Sequence, residues 1–312
     1  MTNNNQLQTT VAIKTAVIKT MVFFDMFNYP LTSWELWQNL KVATDFLTLK
    51  TELDNLVEEK IIFQRNGYYF LLGREGLITI RRERYNYTNY KIKLAKEAVR
   101  LFKWLPSVKL VTVSNLIGHH NLREESDIDI FIISSAKRLW LTRLFCTGLM
   151  KITRKRPTNS GKQDKMCLSF YASLEGLDMT ALRFKPDDPY FDYWFLGLFS
   201  IYDQDKYLAY LRFRNPWLKK LFPNNLLFKD NFLDNYVQSN KKPKSFLIIG
   251  DFFNSLARKI QMAIMPQTLK DLATKNSGVI LSESILRFYL NDRREEFRQK
   301  YYDKLTLFNI YE

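Results

Sequence analysis

The sequence predicts an α+β, mixed α/β chain in which a mixed sheet core lies between a helical N-terminal unit and a C-terminal helical region. Three observations carry that reading. Residues 108–133 hold two apolar runs, rich in β-branched side chains, on either side of a polar loop, which is a pair of strands. Helical periodicity flanks this stretch on both sides. Asn66-Gly67 stands between two further apolar runs and marks a hairpin. With 312 residues and 46% hydrophobic composition, the chain is long enough for about two or three domains with real cores. The divisions expected are a disordered tail over 1–10, an N-terminal unit over 11–73, the core with its leading long helix over 74–200, and the C-terminal helical region over 201–312.

Residues 11–27 place Val11, Ile13, Val17, Ile18, Met21, Val22, Phe24 and Met26 at helical spacing. Pro30 breaks that helix, and Thr32 or Ser33 caps a second one with Glu35 in its first turn. A third helix over 48–59 has Leu49, Leu53, Leu56 and Val57 on one face. Three helices followed by a hairpin over 61–71 make a winged helix-turn-helix. Such units often read DNA with the third helix. Here that helix carries Glu52, Asp54, Glu58 and Glu59 against Lys50 and Lys60, the wrong sign for phosphate, which favours a structural or protein-contact role.

A long basic helical stretch over 73–105 leads to Pro106 and the first core strand, 108–113. It is either a solvated face or a surface for phosphate. The second strand starts at Ser126 and continues Asp127-Ile128-Asp129-Ile130-Phe131-Ile132-Ile133. Side chains alternate along a strand, so Asp127 and Asp129 share one face and Ile128 and Ile130 the other. Two carboxylates on one face repel each other and are costly to bury unpaired. A divalent cation relieves that cost, and Mg²⁺ sites combine one or two carboxylates with substrate phosphates. A helix over 134–153 and a third strand over 165–172 complete a crossover unit. Between them, residues 151–165 form a basic loop bearing Pro157, Gly161 and Ser160.

The sequence Ser126-Asp127-Ile128-Asp129-Ile130 resembles the signature of the nucleotidyltransferase (DNA polymerase β-like) superfamily, whose first strand ends in Gly-Ser ahead of a loop and a Ser-Asp-x-Asp strand. This chain has Ser114-Asn115, or Asn115-Leu116 counting back from the acid pair, where the family has Gly-Ser. The wider order is also similar to a group of bacterial nucleotidyltransferase-domain proteins: a winged helix around 24–32, the Asp-x-Asp core, the run 138–143, then Asn215-Pro216-Trp217. The resemblance implies a metal-dependent enzyme that moves a nucleotidyl group from an NTP to a hydroxyl of a nucleic acid or other acceptor. Asp127 and Asp129 would be catalytic and hold Mg²⁺ or Mn²⁺. Ser114, Asn115, Ser126, Lys137, Arg138 and Arg143 would bind the nucleotide. The family's third strand carries a third acid. The position expected to face the pair here is Ser169, with Asp164 the nearest acid before it and Glu175 and Asp178 beyond. That gap supports an alternative, a catalytically degenerate relative that binds nucleotide or nucleic acid without turnover.

Net charge of +15 and a pI near 9.6 suit polyanionic partners, RNA or DNA among them. Cys146 and Cys167 offer neither a disulfide framework nor zinc spacing and read as small buried thiols. His119-His120 lacks matching ligands and reads as loop. The polar start is no signal peptide, and no apolar run is long enough to span a membrane, so a soluble cytoplasmic protein is expected. Residues 226–244 read as a linker and 245–265 as an amphipathic helix that packs on the core or, as a lesser alternative, on a membrane surface. A charged last helix over 282–305 ends the chain.

Overall fold

The computed structural model describes residues 2–118, 120–158, 161–203, 205–228, 245–275 and 278–311. The N-terminal unit runs α1 (Thr2–Met26), β1 (Leu31–Thr32), α2 (Ser33–Asn39), α3 (Phe46–Glu58), β2 (Phe63–Arg65) and β3 (Tyr68–Phe70). Its three strands pair antiparallel in the order β1–β3–β2. Helix α1 begins at Thr2, so the segment read as a tail belongs to the helix. Thr32 is the cap of α2 and forms a reciprocal box with Glu35. Asp45 caps α3, whose first residue, Phe46, stands two before the start read from periodicity. Asn66 and Gly67 both have positive φ, the backbone a two-residue hairpin requires.

Helix α4 (Leu77–Val99) leads through a 3₁₀ turn to a six-stranded mixed sheet. That sheet comprises β4 (Val108–Val113), β5 (Ile128–Ser134), β6 (Met166–Ser173), β7 (Phe199–Asp203), β8 (Val279–Leu281) and β9 (Ile285–Phe288), in the order β7–β4–β5–β6–β9–β8. Only β5 and β6 pair in parallel, joined by α5 (Leu139–Ile152); the other neighbours are antiparallel.

The remaining helices are α6 (Pro189–Leu196), α7 (Tyr207–Phe213), α8 (Trp217–Leu221), α9 (Ser245–Ile264), α10 (Gln267–Leu272) and α11 (Arg294–Thr306). The region beyond residue 200 is therefore not purely helical. It supplies both edges of the sheet, because β7, β8 and β9 are too short for a period-2 signal to stand out from the helical runs beside them. The stretch 282–305 divides into β9 and α11. Most of the expected linker, 229–244, lies outside the described residues.

Strand parity divides the sheet between two cores. Ile128, Ile130 and Ile132 join Val111, Val113, Leu168 and Tyr171 beneath α5 and α9. Phe131, Ile133, Phe170 and Ala172 face the opposite way and share a core with Phe23 and Phe24 of α1, Tyr193 of α6 and Tyr301 of α11. Phe23 stacks on Tyr193 with ring centroids 4.2 Å apart. The N-terminal unit is thus part of one hydrophobic core with the sheet. Helix α9 buries Asn254, Ala257 and Gln261 against α5, while Phe252, Leu256, Ile260 and Ile264 stay exposed. Among the described residues no helix is long and apolar enough to cross a membrane.

Candidate functional site

Asp127 stands just before β5 and Asp129 is its second residue, on the strand face that carries Phe131 further along. Both open into a cleft of about 570 Å³ between the Phe131–Phe170 face of the sheet, the 114–126 loop, α1, α6 and α11. The loop is tied to the strand beneath it. Ser114 donates its N–H (2.9 Å) and its hydroxyl (3.2 Å) to the Asp129 carbonyl, and Asn115 Nδ2 donates to the Asp127 carbonyl at 3.0 Å. Lys91 of α4, 1% exposed, reaches in from behind and donates to the carbonyls of Glu124 (2.8 Å) and Ser126 (2.7 Å) and to Asp164 (2.6 Å). It is a buried strut, and it engages the acid that precedes β6.

The strand register decides what faces the pair. Asp129 lies opposite Cys167, and the next paired residues are Phe131 and Phe170, so β6 carries one extra residue between them. The bulge leaves both Cys167 and Ser169 on the cleft side ahead of Phe170. The residue directly across from Asp129 is Cys167, not Ser169, the position expected to stand in for the family's third acid. Ligand atoms of Asp127, Asp129 and Cys167 all lie within 4.8 Å of one another. Burial, then the neighbouring Asp127 charge, pushes the Asp129 carboxyl up to about 7, offset in part by the Cys167 thiol and by Lys162 of the basic loop. Burial and the two carboxylates push the Cys167 thiol upward, keeping it protonated.

The rest of the cleft was invisible from the sequence alone. Arg84, Arg123, Arg287, Arg293, Arg294 and Lys300 line it, six cations against the three acids Asp127, Asp129 and Asp292. Arg84 donates to the Phe27 carbonyl and to Asn121, both at 2.8 Å. Arg294 is buried, donating to Asp188 at 2.9 Å and to Asp292 at 2.7 Å, and so fixes the start of α11 against the cap of α6. Tyr190 and Phe297 stack across that joint with centroids 5.0 Å apart and planes 9° apart. Burial first, then the Asp129 charge, raises the Tyr190 hydroxyl to about 12, and the same two causes raise Tyr289. The acid pair and the aromatic wall therefore sense each other. Alternation over 285–289 sets Arg287 and Tyr289 on one side of Leu286 and Phe288, and the fold turns that side to the cleft.

Of the residues expected to bind nucleotide, Ser114, Asn115 and Ser126 line the cleft with Asp127 and Asp129. The Ser114 side chain is engaged with the Asp129 carbonyl, and the Ser126 hydroxyl donates to the Arg123 carbonyl at 2.8 Å. Lys137 and Arg138 do not reach it. They follow the C-terminal end of β5, whereas the acids stand at its start, and seven residues of strand span roughly 20 Å. The Lys137 N–H donates to Glu175 there, and Arg138 donates to the Lys137 carbonyl. Arg143 is on the other side of the sheet, hydrogen-bonded to Gln261 of α9 and stacked 4.2 Å from the Phe288 ring. Packing of α5 against α9 turns it away from the cleft. His120 packs against Tyr85 at 4.6 Å, and His119 lies outside the described residues.

Two carboxylates, with water and phosphate oxygens, are a donor set that Mg²⁺ or Mn²⁺ accepts; a thiol is not one that Mg²⁺ accepts. No family model, no curated protein and no solved structure matches this chain.

Proposed function

We propose that the chain is a divalent-cation-dependent protein of nucleotidyltransferase type, which binds an NTP in this cleft and moves its nucleotidyl group to a hydroxyl of a nucleic acid or another acceptor. The observation that carries the reading is the joining of three features in one cavity: the Asp127–Asp129 pair, an excess of cations, and the Tyr190–Phe297 stack. Carboxylates that hold a cation, guanidinium groups that neutralise phosphates and a flat aromatic wall suit a ligand with phosphates at one end and a ring at the other. A bound cation would screen the phosphate charge and orient the reacting phosphorus. Asp127 and Asp129 would hold it, and Arg84, Arg123 and Arg287 would draw the phosphates towards it. The parallel β5–β6 pair, the Ser-Asp-x-Asp start of β5 and an N-terminal unit of winged-helix pattern support the same assignment.

One observation favours a second reading, nucleotide binding without transfer. The place of the third acid is held by Cys167, a protonated thiol that accepts no proton from an attacking hydroxyl near neutral pH, and Asp164 is engaged by Lys91. Incubation with each labelled NTP, a divalent cation and candidate acceptors (total RNA, single-stranded DNA and the protein itself) separates the two. Label moved by the parent and lost in Asp127→Ala and Asp129→Ala establishes the transferase. Cation-dependent NTP binding by calorimetry with no label moved establishes the binder. Absence of both overturns the assignment.

A further inference from the structure

We infer that Asp127, Asp129 and Cys167 form a mixed oxygen–sulfur site that takes a thiophilic divalent cation, of the Zn²⁺ or Co²⁺ kind, in preference to Mg²⁺. The inference rests on the reading of the acid pair as cation ligands and deepens it by naming the class of cation. It does not require nucleotidyl transfer.

Among the described residues this trio is the only group of three or more such side chains close enough to share an ion, their ligand atoms lying within 4.8 Å of one another. A tetrahedral zinc site, with bonds of about 2.0–2.3 Å, needs ligand atoms about 3.3–3.8 Å apart, a contraction of at most about 1.5 Å, within the reach of carboxylate and thiol rotation. Mg²⁺ instead demands six oxygens in a regular octahedron, and the strand register puts sulfur where the third oxygen would stand.

A second observation points to the same place. Ser169, on the cleft side of β6 and 5% exposed, lies beside the Cys167 thiol and the Tyr289 hydroxyl, yet its oxygen is buried without a hydrogen bond of ordinary geometry. Buried hydroxyls are rarely left so, and a water held by the cation would give it a partner. Three protein ligands leave a fourth position open towards the cleft, the arrangement of zinc sites that act on a substrate. Binding replaces the thiol proton, which leaves to solvent, so sulfur coordinates as thiolate.

The test uses the full chain, reduced and stripped with chelator, and titrated with Co²⁺. Thiolate coordination produces a near-ultraviolet charge-transfer band together with visible d–d absorption. Both are expected in the parent and in Cys146→Ser, with Zn²⁺ displacing Co²⁺ and excess Mg²⁺ failing to displace it. Cys167→Ser loses the charge-transfer band, and Cys167→Asp loses it while gaining Mg²⁺ affinity by calorimetry. No band in the parent, a band that survives Cys167→Ser, or displacement by Mg²⁺ overturns the inference. If Cys167→Ser fails to fold by circular dichroism, Asp127→Asn and Asp129→Asn decide instead, since both must weaken Co²⁺ binding, and unchanged binding in both overturns it. A Co²⁺ band with no NTP binding or transfer leaves the cation site standing and removes the nucleotide reading; Mg²⁺-supported transfer without a band does the reverse.

Discussion

Asp129 on β5 stands directly across from Cys167 on β6, and the extra residue in β6 just beyond them restores pairing at Phe131 and Phe170. Cys167 and Ser169 both face the acid pair, and beyond the bulge Phe170, not Tyr171, takes the cleft side. Bulges next to a cleft re-aim side chains in this way, and the consequences for the acid pair can be measured.

The first concerns pH. Asp129 is raised from its ordinary 3.8 to about 7 by burial and by the Asp127 charge. The folded protein therefore binds this proton more tightly than the unfolded chain does. The resulting stability is fully present below about pH 4, falls as pH rises towards 7 and levels off above it. Up to about 4 kcal/mol is at stake, at 1.36 kcal/mol for each unit. Denaturant unfolding of cation-free protein should show that loss, and Asp129→Asn should be more stable than the parent at pH 8. A parent curve that is flat between pH 4 and 8, or an Asp129→Asn variant that follows the parent's slope, would contradict the charge repulsion argued for the pair.

Lys91 gives the second. Its ammonium is buried on three acceptors, two of them carbonyls of the turn that delivers the chain to Asp127. Lys91→Met leaves those carbonyls and Asp164 without their donor, at a cost of about 2–4 kcal/mol. It also loosens the turn, so cation affinity at the acid pair should fall together with stability. Lys91→Met combined with Asp164→Asn should cost less than the sum of the single changes, because the orphaned carboxylate is gone. Strict additivity in urea unfolding would show that the pair is not coupled.

How much of this was legible in the residues themselves follows from the length of each signal. The Asp127–Asp129 pair, the Asn66-Gly67 turn and the Thr32 cap are local, and alternation, φ and cap chemistry place them without knowledge of the rest of the chain. The cations of the cleft are not local. Arg84 arrives from α4, whereas Arg287 and Arg293 come from β9 and the start of α11 near the other end of the chain. Strands of three to five residues such as β7, β8 and β9 are shorter than any periodicity can resolve from helix. Lys137, Arg138 and Arg143 are close to the acids in sequence and remote in space, because a strand carries the chain away from its own beginning.

That separation makes a third prediction. Lys137→Ala with Arg138→Ala should leave cation and nucleotide binding at the Asp127–Asp129 cleft unchanged, since both residues lie beyond the far end of β5. Arg287→Ala should weaken nucleotide binding, since its guanidinium lines the cleft beside Tyr289 at 4.9 Å from that ring. Calorimetry with an NTP on the two variants reads both. Weakened binding in the Lys137–Arg138 variant, with Arg287→Ala unaffected, would move the ligand to the other end of the strand.

The fourth prediction tests how the cleft loop rests on the N-terminal unit. Gly118 has φ +81°, and a Cβ placed there would stand 2.7 Å from the Tyr29 ring. Tyr29 has little room to retreat. Its hydroxyl donates to Glu35 at 2.8 Å, and the Arg81 guanidinium covers its ring at 4.2 Å while pairing with the same carboxylate. Gly118→Ala therefore meets two costs, a left-handed backbone that side chains resist and a ring held from both sides, together about 1–3 kcal/mol. In a Tyr29→Leu background the steric part is relieved and the backbone part stays, so the same change should cost measurably less there. Urea unfolding of the four proteins in this cycle gives the coupling directly. A coupling near zero would mean that the ring does not press on the loop, and the loop between Ser114 and Ser126 would then take its shape from β4, β5 and Lys91 alone.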